Sequence, residues 1–160
     1  MKLNFIILAA LVCATGAQAQ VLTDTLQAHQ LQDVVVKAVR ATKDAPFAVT
    51  NISKQQLRNF SHTGRELPLL FANTPGVLAW GENGLGTGTA YMRIRGAAGS
   101  RINVTLDGVS LNSPEDQTVF WANMNSYGSL LGSVQIQRGI GTSTHGDGAF
   151  GGSISLATAA

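Results

Sequence analysis

The stretch from Val134 to Leu156, VQIQRGIGTSTHGDGAFGGSISL, decides how the rest of the chain is read. Val134 and Ile136 alternate with Gln135 and Gln137, the two-residue period of a half-buried strand. Arg138 and Gly139 end that strand. Six glycines then fall between Gly139 and Gly152. Glycine loses more chain entropy on ordering than any other residue, so such density implies positive φ or close backbone approach. Ser153 to Leu156 resumes the alternation, with Ile154 and Leu156 on one face. The unit is therefore strand, glycine-rich connection, strand.

Working back toward the N-terminus, the same signals recur. Ile102, Val104 and Leu106 alternate with polar residues and run into Asp107–Gly108, a strong hairpin-turn signal. Tyr91 to Arg95 is a strand with Tyr91, Arg93 and Arg95 on one face and Met92 and Ile94 on the other. Val77 to Trp80 is a short strand, and Ala48 to Ile52 another, held extended at its entry by Pro46. Gly81 to Gly88 carries four glycines and reads as a loop. Ser110 to Tyr127 is long and irregular, the kind of connection that is usually functional or disordered. Ser53 with Gln56 is a capping box and predicts a short helix over Lys54 to Asn59. Thr63 with Glu66 repeats the pattern and predicts a second helix from Glu66 to Ala72, stopped by Pro75–Gly76.

Met1 to Ala19 has the form of a secretory signal peptide: Lys2, an apolar run from Phe5 to Ala14, and the small-x-small site Ala17–Gln18–Ala19. The run is far short of the ~20 apolar residues of a spanning helix. Cleavage would leave Gln20 first and remove Cys13, the one cysteine, so the exported chain relies on its core or a partner rather than on disulfides. Without Lys2 the chain holds ten basic and nine acidic side chains. That near-balance excludes a nucleic-acid partner on electrostatic grounds. His29, His62 and His145 lack metal-ligand spacing. Gly146 to Gly151 matches GxGxxG, but the residues after it read as strand, not helix, which argues against a dinucleotide site. No catalytic constellation is present, and no cofactor or metal is expected.

Several of these strings occur in a known order. LPLLFANTPGV is similar to an ELLxxxPGV element, YMRIRG to an IRG strand end, INVTLDGVSLN to IxVLLDGVPLN, and the opening stretch to IEVxRGPxSxxYGxGAxGGxIxI. By these motifs the chain is identified as a member of the TonB-dependent outer-membrane receptors, over about Leu31 to Thr158, with Ile140 and His145 standing where proline and tyrosine are common. The resemblance implies an α+β fold: a small plug domain with a mixed, about four-stranded sheet, two or three short helices and long glycine-rich loops. It divides the chain into a signal peptide (1–19), a flexible leader (20–42) and a plug domain (43–160), with the transmembrane β-barrel, several hundred further residues, absent from this chain.

The resemblance also implies roles. LQDVVVK, Leu31 to Lys37, is similar to the TonB box; Leu31, Asp33, Val34, Val35 and Val36 would add as a strand to the C-terminal domain of TonB. Arg95 and Arg138 would form the plug side of a charged lock with glutamates of the receptor's own β-barrel. Trp80, Glu82, Asn83 and Leu85 on one loop, and Glu115, Phe120, Trp121 and Tyr127 on the next, would face a small-molecule nutrient ligand. Gly96, Gly108, Gly139, Gly146, Gly148, Gly151 and Gly152 would be structural. The implied function is energised uptake of a scarce nutrient (siderophore, cobalamin, oligosaccharide or similar) at the outer membrane, with the N-terminus in the periplasm and no enzymatic activity. A free-standing periplasmic or surface ligand-binding module is the alternative.

Overall fold

The computed structural model describes residues 40–41, 46–140 and 148–159. The signal-peptide, TonB-box and Gly146 expectations lie outside these residues. Among the described residues, seven strands, three α-helices and two 3-10 turns follow one another: β1 (Ala48–Ser53), α1 (Lys54–Ser61), α2 (Leu67–Phe71), β2 (Val77–Gly81), β3 (Ala90–Ile94), a 3-10 turn (Gly99–Arg101), β4 (Ile102–Leu106), β5 (Val109–Ser110), a second 3-10 turn (Trp121–Met124), α3 (Tyr127–Leu130), β6 (Leu131–Arg138) and β7 (Gly152–Thr158). The fold is α+β, and its main sheet is mixed as expected but has five strands, in the order β1-β6-β7-β4-β5, beside a separate hairpin of β2 and β3.

The β6–β7 pair is antiparallel, with Val134 opposite Leu156 and Ile136 opposite Ile154. β1 joins β6 antiparallel, placing Ile52 beside Val134, and β4 joins β7 in parallel, placing Val104 beside Ile154. The alternating apolar residues of four strands thereby share one face. Ile102, Val134, Ile136, Ile154 and Leu156 are at most 1% exposed, and Leu57, Leu67, Leu70 and Phe71 of α1 and α2 complete the core with them. Full burial of each such side chain stabilises by about 1.5–3 kcal/mol.

Two local readings need correction. The Ser53–Gln56 capping box forms in full and starts α1, which runs two residues past the predicted end. The Thr63–Glu66 box does not form. Thr63 Oγ1 instead donates to Phe60 O behind α1, and Glu66 caps α2 with backbone only. Glu66 is drawn away because a loop from another part of the chain offers its carboxylate a donor. The second correction concerns β6 and β7. Their polar residues do alternate away from the core, but the second face is covered too: Gln135, Gln137 and Ser153 are 5%, 1% and 6% exposed. The amide of Gln137 has no hydrogen-bond partner.

The glycine pair at the start of β7 is set by contact. A Cβ at Gly151 would sit 2.2 Å from Ala97 Cβ, and one at Gly152 would sit 2.5 Å from the Gln137 carbonyl oxygen. Gly148 is different: its φ is 80°, but the nearest atom to an added Cβ is Ser100 O at 3.8 Å. Alanine at Gly151 or Gly152 must therefore displace neighbouring atoms, at about 1–3 kcal/mol or more. Alanine at Gly148 meets only the left-handed backbone cost of about 1–2 kcal/mol. Thermal unfolding of the three variants should place Gly151→Ala and Gly152→Ala below Gly148→Ala.

Candidate functional site

The two arginines singled out by sequence are brought to one end of the domain. Arg95 does not continue β3. It has φ 50° and Gly96 has φ 85°, and Ile94 and Ala97 exchange both backbone hydrogen bonds across them. That is a two-residue turn of I′ geometry, which favours Asn–Gly because both central residues need positive φ. Asp107 (φ 49°) and Gly108 (φ 88°) make the same turn between β4 and β5. There the short acid suits the conformation and clamps the end of β7, Oδ1 accepting from Thr158 N at 3.0 Å and Oδ2 from Thr158 Oγ1 at 2.9 Å.

Arginine has no such local reward. The turn instead aims its side chain: Arg95 N donates to Gly76 O at 2.7 Å, and the side chain passes over Gly76. A Cβ at Gly139 would lie 3.0 Å from Arg95 Nη1. Arg138, just before Gly139, donates from Nε to Ala48 O (3.3 Å) and from Nη1 to Pro75 O (3.0 Å). Both guanidiniums therefore flank the Pro75–Gly76 turn. Arg95 is exposed and Arg138 partly buried. Asp107 and Asp116 are engaged elsewhere, Asp116 with Thr118. Arg138 rests on the Ala48 and Pro75 carbonyls, and the Arg95 guanidinium lies exposed beside Gly139.

The loop and hairpin residues expected to face a ligand do not form one uniform set. On the outer face of β2–β3, Trp80 stacks on Tyr91 with centroids 5.7 Å apart, and Arg93 lies 5.9 Å from the Trp80 ring. Tyr91 donates its hydroxyl to Glu82 Oε1 at 2.6 Å, which raises the Tyr91 pKa. Phe120 and Leu85 are exposed. Trp121 is instead a core residue, 5% exposed and edge-on to Phe71 at 5.7 Å, and Tyr127 is half-buried against the core. Their apolar bulk is what draws them inward. Glu115 sits in the exposed turn after Ser113. A cavity of about 440 Å³ opens between the hairpin and the 116–121 segment, lined by Trp80, Tyr91, Arg93, Phe120 and Trp121 among others. Sequence reading missed Tyr91 and Arg93 as part of this surface, although the strand alternation placed both on the outer face.

The 81–89 loop is rigidly built. Asn83 Oδ1 accepts from Gly86 N and Thr87 N, and its Nδ2 donates to Thr87 O. Glu66, 1% exposed, holds the loop from beneath: its N–H donates to Gly86 O, and its Oε1 accepts from Gly88 N at 3.1 Å. Glu66 Oε2 has no partner. Burial pushes this carboxyl above the usual range, partly offset by the Gly88 N–H. Among the described residues, no group of three His, Cys, Asp or Glu side chains could hold a metal ion, and no helix is long and apolar enough to cross a membrane.

Comparison with known proteins adds the following. The family model for the TonB-dependent receptor plug domain matches residues 41–153. No curated protein matches the chain. Among solved structures, it is similar to the siderophore receptor PirA from Acinetobacter baumannii (20% identity, TM-score 0.54, 70% of this chain and 17% of that one). It is similar to a mutant of the ferric enterobactin receptor PfeA from Pseudomonas aeruginosa (22%, 0.55, 79% and 19%). It is also similar to the Serratia marcescens hemophore receptor HasR, solved with its hemophore and heme (21%, 0.52, 73% and 17%). The chain thus spans under a fifth of the length of these receptors.

Two outcomes follow from this geometry. Arg95→Asn relieves the positive-φ strain and should raise the unfolding free energy of the chain by about 0.5–1 kcal/mol. Denaturant titration measures it; a loss of stability would mean that the arginine side chain holds the turn. An acid whose pKa is raised on folding carries a penalty that is absent below its unfolded pKa and fully present above its folded one. Glu66→Gln should therefore stabilise the chain at pH 7 and lose that advantage as the pH falls through the raised folded pKa toward the ordinary glutamate range of about 4. Unfolding midpoints at the two pH values check the sign.

Proposed function

The chain belongs to the TonB-dependent receptor plug-domain family, and from that premise we propose that it serves as the plug of an outer-membrane receptor that takes up a scarce nutrient with energy delivered through TonB. The observation that carries this reading is the convergence of Arg95 and Arg138 at one end of the domain, Arg138 on the Ala48 and Pro75 carbonyls and Arg95 beside Gly139. Two planar, always-charged guanidiniums so placed suit carboxylates presented by an enclosing wall. A strained Arg95 turn is consistent with a side chain selected for an external partner rather than for local stability.

Nutrient would approach over the 81–89 loop and the outer face of β2–β3. Asn83 and Glu66 keep that loop ordered, so recognition there would not require the loop to fold first. The stacked Trp80 and Tyr91, with Phe120 and Arg93, suit a ligand with flat apolar surface and some negative charge. The similar receptors are named for a siderophore, for ferric enterobactin and for a hemophore bound with heme, and the nutrient class of this chain is accordingly proposed no more narrowly than a small chelate or cofactor-like molecule. At the N-terminus, Leu31 with Asp33 to Val36 would supply an extended strand to TonB in the periplasm, the receptor lying in the outer membrane with the plug inside its barrel.

The strand-addition reading has a direct test. Proline at Val35 removes a backbone donor and fixes φ, whereas threonine keeps both the donor and β-branching. Val35→Pro should abolish binding to the C-terminal domain of TonB in calorimetry, and Val35→Thr should change it less than about threefold. Equal binding by the two variants would remove the assignment.

A further inference from the structure

β1 is an edge strand, yet two residues that precede it lie over the middle of the sheet. The Arg40 guanidinium spreads across β6 and β7. Nη1 donates to Ser133 Oγ at 2.6 Å and Nε to Ser155 Oγ at 3.2 Å, while Nη2 donates to Ser133 O at 3.2 Å and Ser155 O at 2.8 Å. The next residue is held as a neighbouring strand would hold it. Ala41 N donates to Gln135 Oε1 at 2.8 Å, and Gln135 Nε2 donates back to Ala41 O at 2.9 Å. Gln135 is itself fixed by Asn51 Oδ1 at 2.8 Å. These partners all belong to the polar second face of the sheet.

The chemistry of this contact is unusual for a half-buried cation. Among the described residues its four hydrogen-bond acceptors are neutral, two hydroxyls and two carbonyls. Burial lowers the Arg40 pKa, with Asp107 the charge that opposes the shift. A guanidinium paired with a buried carboxylate would strand that anion on leaving. Here departure strands only hydroxyls, carbonyls and one amide, which water can satisfy. The fork geometry nonetheless gives selectivity, since an ammonium cannot bridge two serines and two carbonyls at once.

We infer that Arg40 and Ala41 form a releasable strap that ties the N-terminal leader to the polar face of the β6–β7 pair, through Ser133, Ser155 and Gln135. The chain therefore enters the domain over the centre of the sheet. A pull on the leader meets the strap first and the β1–β6 ladder, with its six paired residues, only afterwards. The strap stands on the contacts above; only the source of the pull rests on the proposed function.

Hydrogen exchange on the intact polypeptide that carries this chain tests the strap without TonB. Arg40→Ala, Arg40→Lys and Gln135→Leu should each raise exchange at the Ala41 amide by about ten- to a hundredfold, the equivalent of losing one or two charge-assisted hydrogen bonds. Exchange in β4 and β7 should stay as in the unmodified chain. Unchanged protection of Ala41 in Arg40→Ala and Gln135→Leu overturns the proposal. So does a rise spread evenly over β1, β6 and β7, which would make Arg40 an ordinary part of the fold rather than a separable tie. TonB binding measured on the same variants keeps the two readings apart: absence of binding by the unmodified chain removes the box and leaves the exchange result standing, whereas unaltered exchange removes the strap and leaves the box.

Discussion

The antiparallel contact between β6 and β7 is the constraint on which the other elements depend. β1 is built on the outer edge of β6 and β4 on the outer edge of β7, so neither finds its register unless the central pair has formed. That pair closes only because Gly151 and Gly152 let β7 start against the Gln137 carbonyl and the side chain of Ala97. Gly151 also donates to Arg101 O and accepts from Gly139 N, fastening the start of β7 to the start of β4 and the end of β6. A methyl group at that junction would separate backbones, and strand pairing would lose its first rungs.

Three guanidiniums in this domain rest on neutral groups. Arg138 rests on two carbonyls, Arg95 lies over glycine backbone, and Arg40 is held by hydroxyls and carbonyls. Neutral acceptors orient the Arg138 guanidinium without cancelling its field. The acidic side chains are used locally instead. Asp107 fixes the end of β7, Asp116 closes its own turn on Thr118, and Glu66 supports the 81–89 loop.

The hairpin loop and the leader contact are held by different kinds of interaction. At the hairpin end, the Asn83 network and the Glu66 contacts hold a glycine-rich loop in one conformation, and Gly86 packs on Leu69 and Arg65 so closely that a Cβ would collide. At the leader end, the fastening consists of side-chain hydrogen bonds across one polar sheet face. An exposed apolar and aromatic surface is thus carried on the hairpin, while the Arg40 and Ala41 contacts lie over the centre of the main sheet.

Much of this was legible in residue order. The alternation of Val134 with Ile136 and of Ile154 with Leu156, the Ser53–Gln56 cap and the Asp107–Gly108 turn are local signals, and each appears where it was read because the energies involved act within a few residues. The motif order identified the family by the same local strings. What sequence could not determine was decided by contacts between distant segments. Glu66 looked like a capping residue until Gly88, 22 positions away, offered it a donor. Gln135 and Gln137 looked solvent-facing because their own strand says nothing about what lies over it, and Trp121 looked like a loop residue until Phe71 received it. Arg95 read as the last strand residue, and only the Ile94–Ala97 closure shows that it turns the chain and aims at Gly139. Periodicity and caps are properties of a short window of chain, whereas burial, partner choice and strain are properties of the surfaces that fold against it.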